Sequence, residues 1–297
     1  MRTYEHPYKH DVDPRILDRY LRELHQTSEA ISDFRVSSGL GAAGLHEQDR
    51  SRKKHHDPRQ DFAQAAHLFT ERNNLDSDTH MYASLLSVVP SMLRGKRTLE
   101  YGDRFGHYAA KMQMIKFNDV IRSIADTHPS LDPEILTHIV GAVAQDYGYG
   151  SGGRGAAMQE TRNTARGIKH ELGVEAELSW LPEEFEVLPT NDDDDKRGAD
   201  DRVLYRPTDT IVDIDVKASQ EAADNAIQDE KEFQQSKGHG YMVPVGKLIL
   251  YSGFTDDDFE PQRPWRVKQA AIQRELPRVE SLIREAAGAD DRMAVAI

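Results

Sequence analysis

The residues from Ile211 to Ser219 carry the sharpest chemical pattern in the chain. Read as a strand they alternate, with Val212, Ile214 and Val216 on one side and Asp213, Asp215 and Lys217 on the other. Two carboxylates and an ammonium on one face, backed by an apolar face, are costly unless something uses them. A hard divalent cation would use them, since it takes one or two carboxylates and completes its shell with water and phosphate oxygens. Upstream, the segment from Gly198 to Tyr205 places acidic residues at the entry to a second apolar strand. Pro207, Thr208 and Asp209 between the two read as a hairpin turn. Antiparallel pairing across that turn brings the start of the first strand near the end of the second, so Asp201 and Asp215 are expected to converge on one cation. Of the adjacent Asp200 and Asp201, Asp201 is preferred as ligand because it adjoins the apolar strand, and Asp213 is read as a surface neighbour. Lys217 can reach an attacking water or a phosphate oxygen. A cation at such a site lowers the pKa of bound water and neutralises charge on a phosphate, the metal-assisted route to phosphodiester hydrolysis.

The elements that must hold these residues follow from periodicity. In the first half, apolar residues recur at helical spacing from Asp13-Pro14 through Leu24, around Phe62–Phe69, over Tyr82–Met92, from Tyr108 to Ile124 and from Pro133 to Ala144. A glycine cluster from Tyr147 to Gly155 then reads as a boundary. Past it, a helix is expected from Ala156 to Leu172, closed by Gly173. Strands are expected at Glu175–Trp180, Glu184–Leu188, Arg202–Arg206, Thr210–Ala218 and Lys247–Tyr251, with a charged turn from Asn191 to Gly198. Helices are expected from Ser219 to Gln235 and from Lys268 to Ala287, the last bent near Pro277. The expected fold class is α/β: a mixed sheet flanked by helices over residues 149–297, preceded by a helical region over residues 1–148.

An Asp opening one strand of a hairpin, followed by Asp-x-Lys ending the next, resembles the signature of the PD-(D/E)XK, or restriction-endonuclease-like, nucleases. Here it is Asp201, thirteen intervening residues, then Asp215-Val216-Lys217, with small polar Ser219 following. The family's proline before the first Asp is replaced by Asp200. Many members also carry a glutamate on the helix before the hairpin. Glu160 resembles it, and the spacing from Gly155 to Glu160 is similar to that of archaeal junction resolvases; Glu171 and Glu184 rank behind it. The resemblance covers about Gly155 to Phe254. It implies a restriction-endonuclease-like core and Mg²⁺, with Mn²⁺ as a substitute, held by Asp201, Asp215 and Glu160. It also implies an endodeoxyribonuclease acting on double-stranded DNA, most like a homodimeric type II restriction endonuclease. Two alternatives stay open: a repair or recombination nuclease of junction-resolvase type, and a non-catalytic DNA- or protein-binding module with a merely solvated acidic face.

Other signals are weaker. Gly150 to Gly155 matches GxGxxG, but a dinucleotide site needs a strand before it and this segment follows a helix, so a dinucleotide fold is rejected. Arg154, beside exposed N–H groups at a helix start, is a candidate DNA phosphate contact. So are Arg52, Lys53 and Lys54 in the basic run from Arg50 to His56. The 297 residues carry a net charge of -13 and a mean hydropathy of -0.70. Of that charge, residues 1–150 contribute -2 and residues 151–297 contribute -11. Eleven of the thirteen histidines precede residue 150, without zinc-type spacing. The absence of cysteine excludes disulfides and thiolate metal sites and points to a cytoplasmic home. No apolar run is long enough to span a membrane, and no signal peptide is visible at the N-terminus.

Overall fold

A computed structural model describes residues 12–38, 58–102, 106–190, 199–240 and 243–288. The expected charged turn from Asn191 to Gly198 and the basic residues Arg52, Lys53 and Lys54 lie outside them. The chain is α/β and divides into two compact units, Met1–Ala165 and Arg166–Ile297.

The first unit is built from helices α1 (Pro14–Ser37), α2 (Pro58–Arg72), α3 (Ser77–Tyr101), α4 (His107–Thr127), α5 (Pro133–Asp146) and the start of α6 (Ser151–Leu178). Their starts follow capping chemistry. Asp13 accepts from Arg15 N, Asp76 from Thr79 N and Asp132 from Glu134 N, each satisfying an otherwise orphaned first-turn donor. The centre is α3, whose Tyr82, Leu85, Leu86, Val89 and Met92 are buried, with Phe117 and Ile121 of α4 and Leu136, Ile139 and Val140 of α5. Pro90 sits inside α3 without ending it.

The second unit holds the rest of α6, then β1 (Phe185–Leu188), β2 (Asp201–Tyr205), β3 (Thr210–Lys217), α7 (Gln220–Ser236) and β4 (Lys247–Tyr251). A short 3-10 turn at Asp256–Asp258 leads to a hairpin of β5 (Phe259–Glu260) and β6 (Arg263–Val267), and α8 (Gln269–Ala286) closes the unit. The main sheet runs β1-β2-β3-β4. The first three strands are antiparallel, whereas β4 pairs parallel to β3 through the α7 crossover. One sheet face, with Val203, Tyr205, Val212, Ile214, Val216, Leu248 and Leu250, forms a core with Val174 and Leu178 of α6 and Ile272, Val279 and Ile283 of α8. The other face carries Asp213, Asp215 and Lys217, and Ile249 lies beside Asp215 across the parallel ladder.

Three elements differ from expectation. The helix expected to stop at Gly173 runs on to Leu178, and the strand expected at Glu175–Trp180 is its last turn. Val174 and Leu178, four residues apart, bury one helical face, which an alternation of six residues could not exclude. Gly173 is a packing glycine: a Cβ there would lie 2.8 Å from the Phe254 ring. The glycine cluster opens α6 instead of separating two domains, because Gly153 lets the helix start close against Tyr149. The compact units divide inside α6, not at residue 148. The β5–β6 hairpin was not expected at all.

Candidate functional site

The pleat sorts the residues at the β2–β3 end of the sheet. Val212, Ile214 and Val216 are buried, while Asp213, Asp215 and Lys217 are partly exposed on the opposite face. Asp213 is engaged by Arg202 across the strand pair, Nε to Oδ1 at 2.9 Å, which leaves it a surface neighbour. Lys217 Nζ donates to Asp215 Oδ1, joining the two residues of the Asp-x-Lys pattern. Ser219 then caps α7, accepting from Ala222 N at 3.2 Å, so the strand ends where its last cation is presented.

The two acidic residues at the entry to β2 separate. Asp201 pairs with Ile214, and residues directly opposite in an antiparallel ladder share a face. Its side chain therefore turns with Val203 and Tyr205 toward the core, and it is only 6% exposed. Asp201 and Asp215 are expected to converge on one cation; the ladder places Asp201 opposite Ile214, on the face away from Asp215. Asp200, just outside the strand, is the residue that reaches Asp215. Its N–H donates to Ile214 O at 2.8 Å and its Oδ2 accepts from Val216 N at 2.7 Å, so it clasps β3 on either side of Asp215.

Burial, and then the negative charges of Glu171 and Asp215, hold the Asp200 carboxyl well above the usual carboxylate range. The Val216 N–H and Lys217 pull it part of the way back. Glu171, on α6, is the helix glutamate whose charge acts on Asp200. Sequence reasoning ranks it, with Glu184, behind Glu160. The signal that could have raised it is the apolar Val174 and Leu178 that follow, which carry the helix onward. Glu160 lies in the first unit, its Oε2 held by Lys96 Nζ at 2.5 Å. Arg154 is exposed near the start of α6, with NH1 3.3 Å from Gln145 Oε1.

Beneath the strand ends is a buried polar link that sequence reasoning did not anticipate. His170 Nδ1 and Ser252 Oγ share a hydrogen bond of 2.5 Å, and Ser252 N donates to Lys217 O at 3.1 Å. Burial, with Arg166 and Lys169 nearby, lowers the His170 pKa to about 4, so its ring is neutral at physiological pH.

Among the described residues, no three His, Cys, Asp or Glu side chains stand together as a ready metal cage. A hard cation that keeps several waters needs less: one or two carboxylates and room for substrate oxygens. Asp200 and Asp215 supply two carboxylates, and the charge of Asp215 opposes ionisation of Asp200, a conflict that a cation relieves. Their donor set therefore fits such an ion, with Lys217 as the cation that now partners Asp215. Among the described residues no helix is long and apolar enough to cross a membrane. No protein-family model, curated protein or solved structure matches this chain.

Proposed function

We propose that this chain is a magnesium-dependent endodeoxyribonuclease of the PD-(D/E)XK type that hydrolyses phosphodiester bonds in duplex DNA. The observation that carries the reading is the clasp of Asp200 about Asp215, which joins two carboxylates and the Lys217 ammonium at one strand end. In this reading Asp200 and Asp215 hold Mg²⁺, or Mn²⁺ in its place, and Glu171 acts on the cation or its waters. Asp200 takes the part that sequence reasoning gave to Asp201, and Glu171 the part given to Glu160.

When bound, the cation supplies a lowered water pKa and neutralises charge on the phosphate. The protein's own groups do the rest. Lys217 is released from Asp215 and donates from Nζ to the attacking water or to a non-bridging phosphate oxygen. The hydrogen bonds from Asp200 to β3 fix its carboxylate beside that of Asp215 before substrate arrives. The neutral His170–Ser252 link holds the Lys217 backbone without adding charge to the site.

By the resemblance drawn above, the enzyme acts as a homodimeric, cytoplasmic type II restriction endonuclease on a specific duplex site. The test is incubation with unmethylated plasmid and genomic DNA, and with a four-way junction, in Mg²⁺ or in EDTA, using wild type and Asp215→Ala. Discrete bands that need Mg²⁺ and vanish in the variant are expected. Cutting of the junction alone would replace restriction by junction resolution. Identical, inert behaviour of both proteins would overturn the nuclease reading.

A further inference from the structure

Among the described residues, most arginine and lysine side chains of the second unit answer a carboxylate: Lys169 with Asp256, Arg202 with Asp213, Lys247 with Glu230, Arg274 with Asp258 and Arg284 with Glu184. Arg166 does not, although Asp200, Asp215 and Glu171 lie in the same unit. Among the described residues its partner is a backbone carbonyl: NH2 donates to Ala218 O at 3.3 Å. Ala218 is the residue after Lys217, and the Arg166 side chain is exposed. Its position is fixed from below. One helical turn on, His170 is buried and hydrogen bonded to Ser252, and Ser252 N bonds Lys217 O. Helix α6 and the ends of β3 and β4 are thus tied at consecutive residues, and the Arg166 guanidinium is held beside the strand end that presents Lys217.

A guanidinium with one N–H on a carbonyl keeps four further donors in a planar fork that matches a phosphate. An acidic surface also needs a cation where a phosphodiester enters, because its general field repels the substrate. We propose that Arg166 is a phosphate-binding residue of this site, gripping non-bridging oxygens of the DNA backbone next to the position served by Lys217. The inference rests on the nuclease reading for its substrate, but it concerns binding and can be read without cleavage.

The experiment is fluorescence anisotropy of a labelled, unmethylated DNA duplex of mixed sequence over a KCl series. Ca²⁺ replaces Mg²⁺, and the proteins are wild type, Arg166→Ala, Arg166→Lys and Arg263→Ala, each also melted alone. Arg263 is an exposed arginine on β6 that serves as a control for general charge. Arg166→Ala is expected to weaken binding about tenfold and to reduce the slope of log K against log salt by about 1. Arg166→Lys should restore most of the slope, and Arg263→Ala should resemble wild type. Unchanged affinity and slope in Arg166→Ala, with a lowered melting temperature, would make Arg166 a structural latch and overturn the proposal. Equal losses in Arg263→Ala would also overturn it, by showing a diffuse charge effect. Wild type that binds through Arg166 yet cuts nothing in Mg²⁺ would sink the nuclease reading and leave the contact standing. Wild type that binds no duplex at any salt would sink both.

Discussion

An Asn at position 201 would sit on the face shared with Val203, Tyr205 and Ile214, inside the packed side of the sheet. It would disturb a buried polar group and so act on folding: Asp201→Asn is expected to cost about 1–3 kcal/mol in urea unfolding while the folded fraction still cuts DNA. An Asn at position 200 acts on chemistry. It replaces a carboxyl whose ionisation Glu171 and Asp215 already disfavour, so stability should hold or rise slightly. Cleavage should fall by at least about a hundredfold, because a neutral amide replaces a carboxylate ligand. Steady-state cleavage and unfolding curves on the two variants separate these effects. The pairing of Asp215 with Lys217 was legible from the alternation of β3 alone. The placement of Asp201 was legible too, since Asp201, Val203 and Tyr205 stand two apart and must share a face. What the sequence could not show is that Asp200, outside the strand, bends back to bond Val216 N; no periodicity governs a residue beyond the last ladder pair.

At the scale of elements, α6 has the most to explain. Its Glu177 is fully buried on the second unit's side, and neither carboxylate oxygen has a hydrogen-bond partner among the described residues. Burial, helped by the like charge of Glu275 on α8, pushes its pKa up to about 8, against the opposing charges of Arg278 and Arg274. The folded protein therefore keeps this proton between about pH 4.5 and 8 while the unfolded chain has lost it. The stabilising linkage is complete below about pH 4.5 and is lost as pH rises toward 8. Glu177→Gln, which cannot ionise, should remove this slope and gain on the order of 2–4 kcal/mol relative to wild type between pH 5 and pH 8. Urea unfolding at the two pH values measures it, and parallel pH profiles would contradict it. Gly173 offers a second check. Alanine there should stabilise a helix by propensity alone, yet its Cβ would meet the Phe254 ring at 2.8 Å. Gly173→Ala is therefore expected to destabilise by about 1–3 kcal/mol on thermal or urea unfolding.

The same residues show why some elements were readable and others were not. Long helices announce themselves through caps such as Asp13 and Asp132 and through sustained 3.6-residue spacing. Strands β3 and β4 announce themselves through alternation or an apolar run bounded by turn residues. The C-terminal turn of α6 did not, because Glu175–Trp180 fits both periods over so few residues. The β5–β6 hairpin is too short and too rich in proline, with Pro261 and Pro264, to signal a ladder.

At the scale of the whole molecule, a net charge of -13 sets the terms for any acidic substrate. In the proposed reading, binding to duplex DNA rests on a few placed cations and on a bound metal ion, because the overall field opposes it. The ion should also register in stability. A cation that binds only the folded chain stabilises it by about 2.7 kcal/mol at a hundred times its dissociation constant. Mg²⁺ is therefore expected to raise the melting temperature of wild type and leave those of Asp200→Asn and Asp215→Asn unmoved, as scanning fluorimetry would show.

The central claim is that Asp200 and Asp215 form one catalytic metal site. Its most direct test is nicking and linearisation of supercoiled plasmid by wild type, Asp200→Asn, Asp201→Asn and Asp215→Asn at equal folded concentration, with Mg²⁺ and with EDTA. The account predicts Mg²⁺-dependent cutting by wild type and Asp201→Asn, and none by Asp200→Asn or Asp215→Asn. Full cutting by Asp200→Asn, or loss of cutting in a well-folded Asp201→Asn, would contradict it.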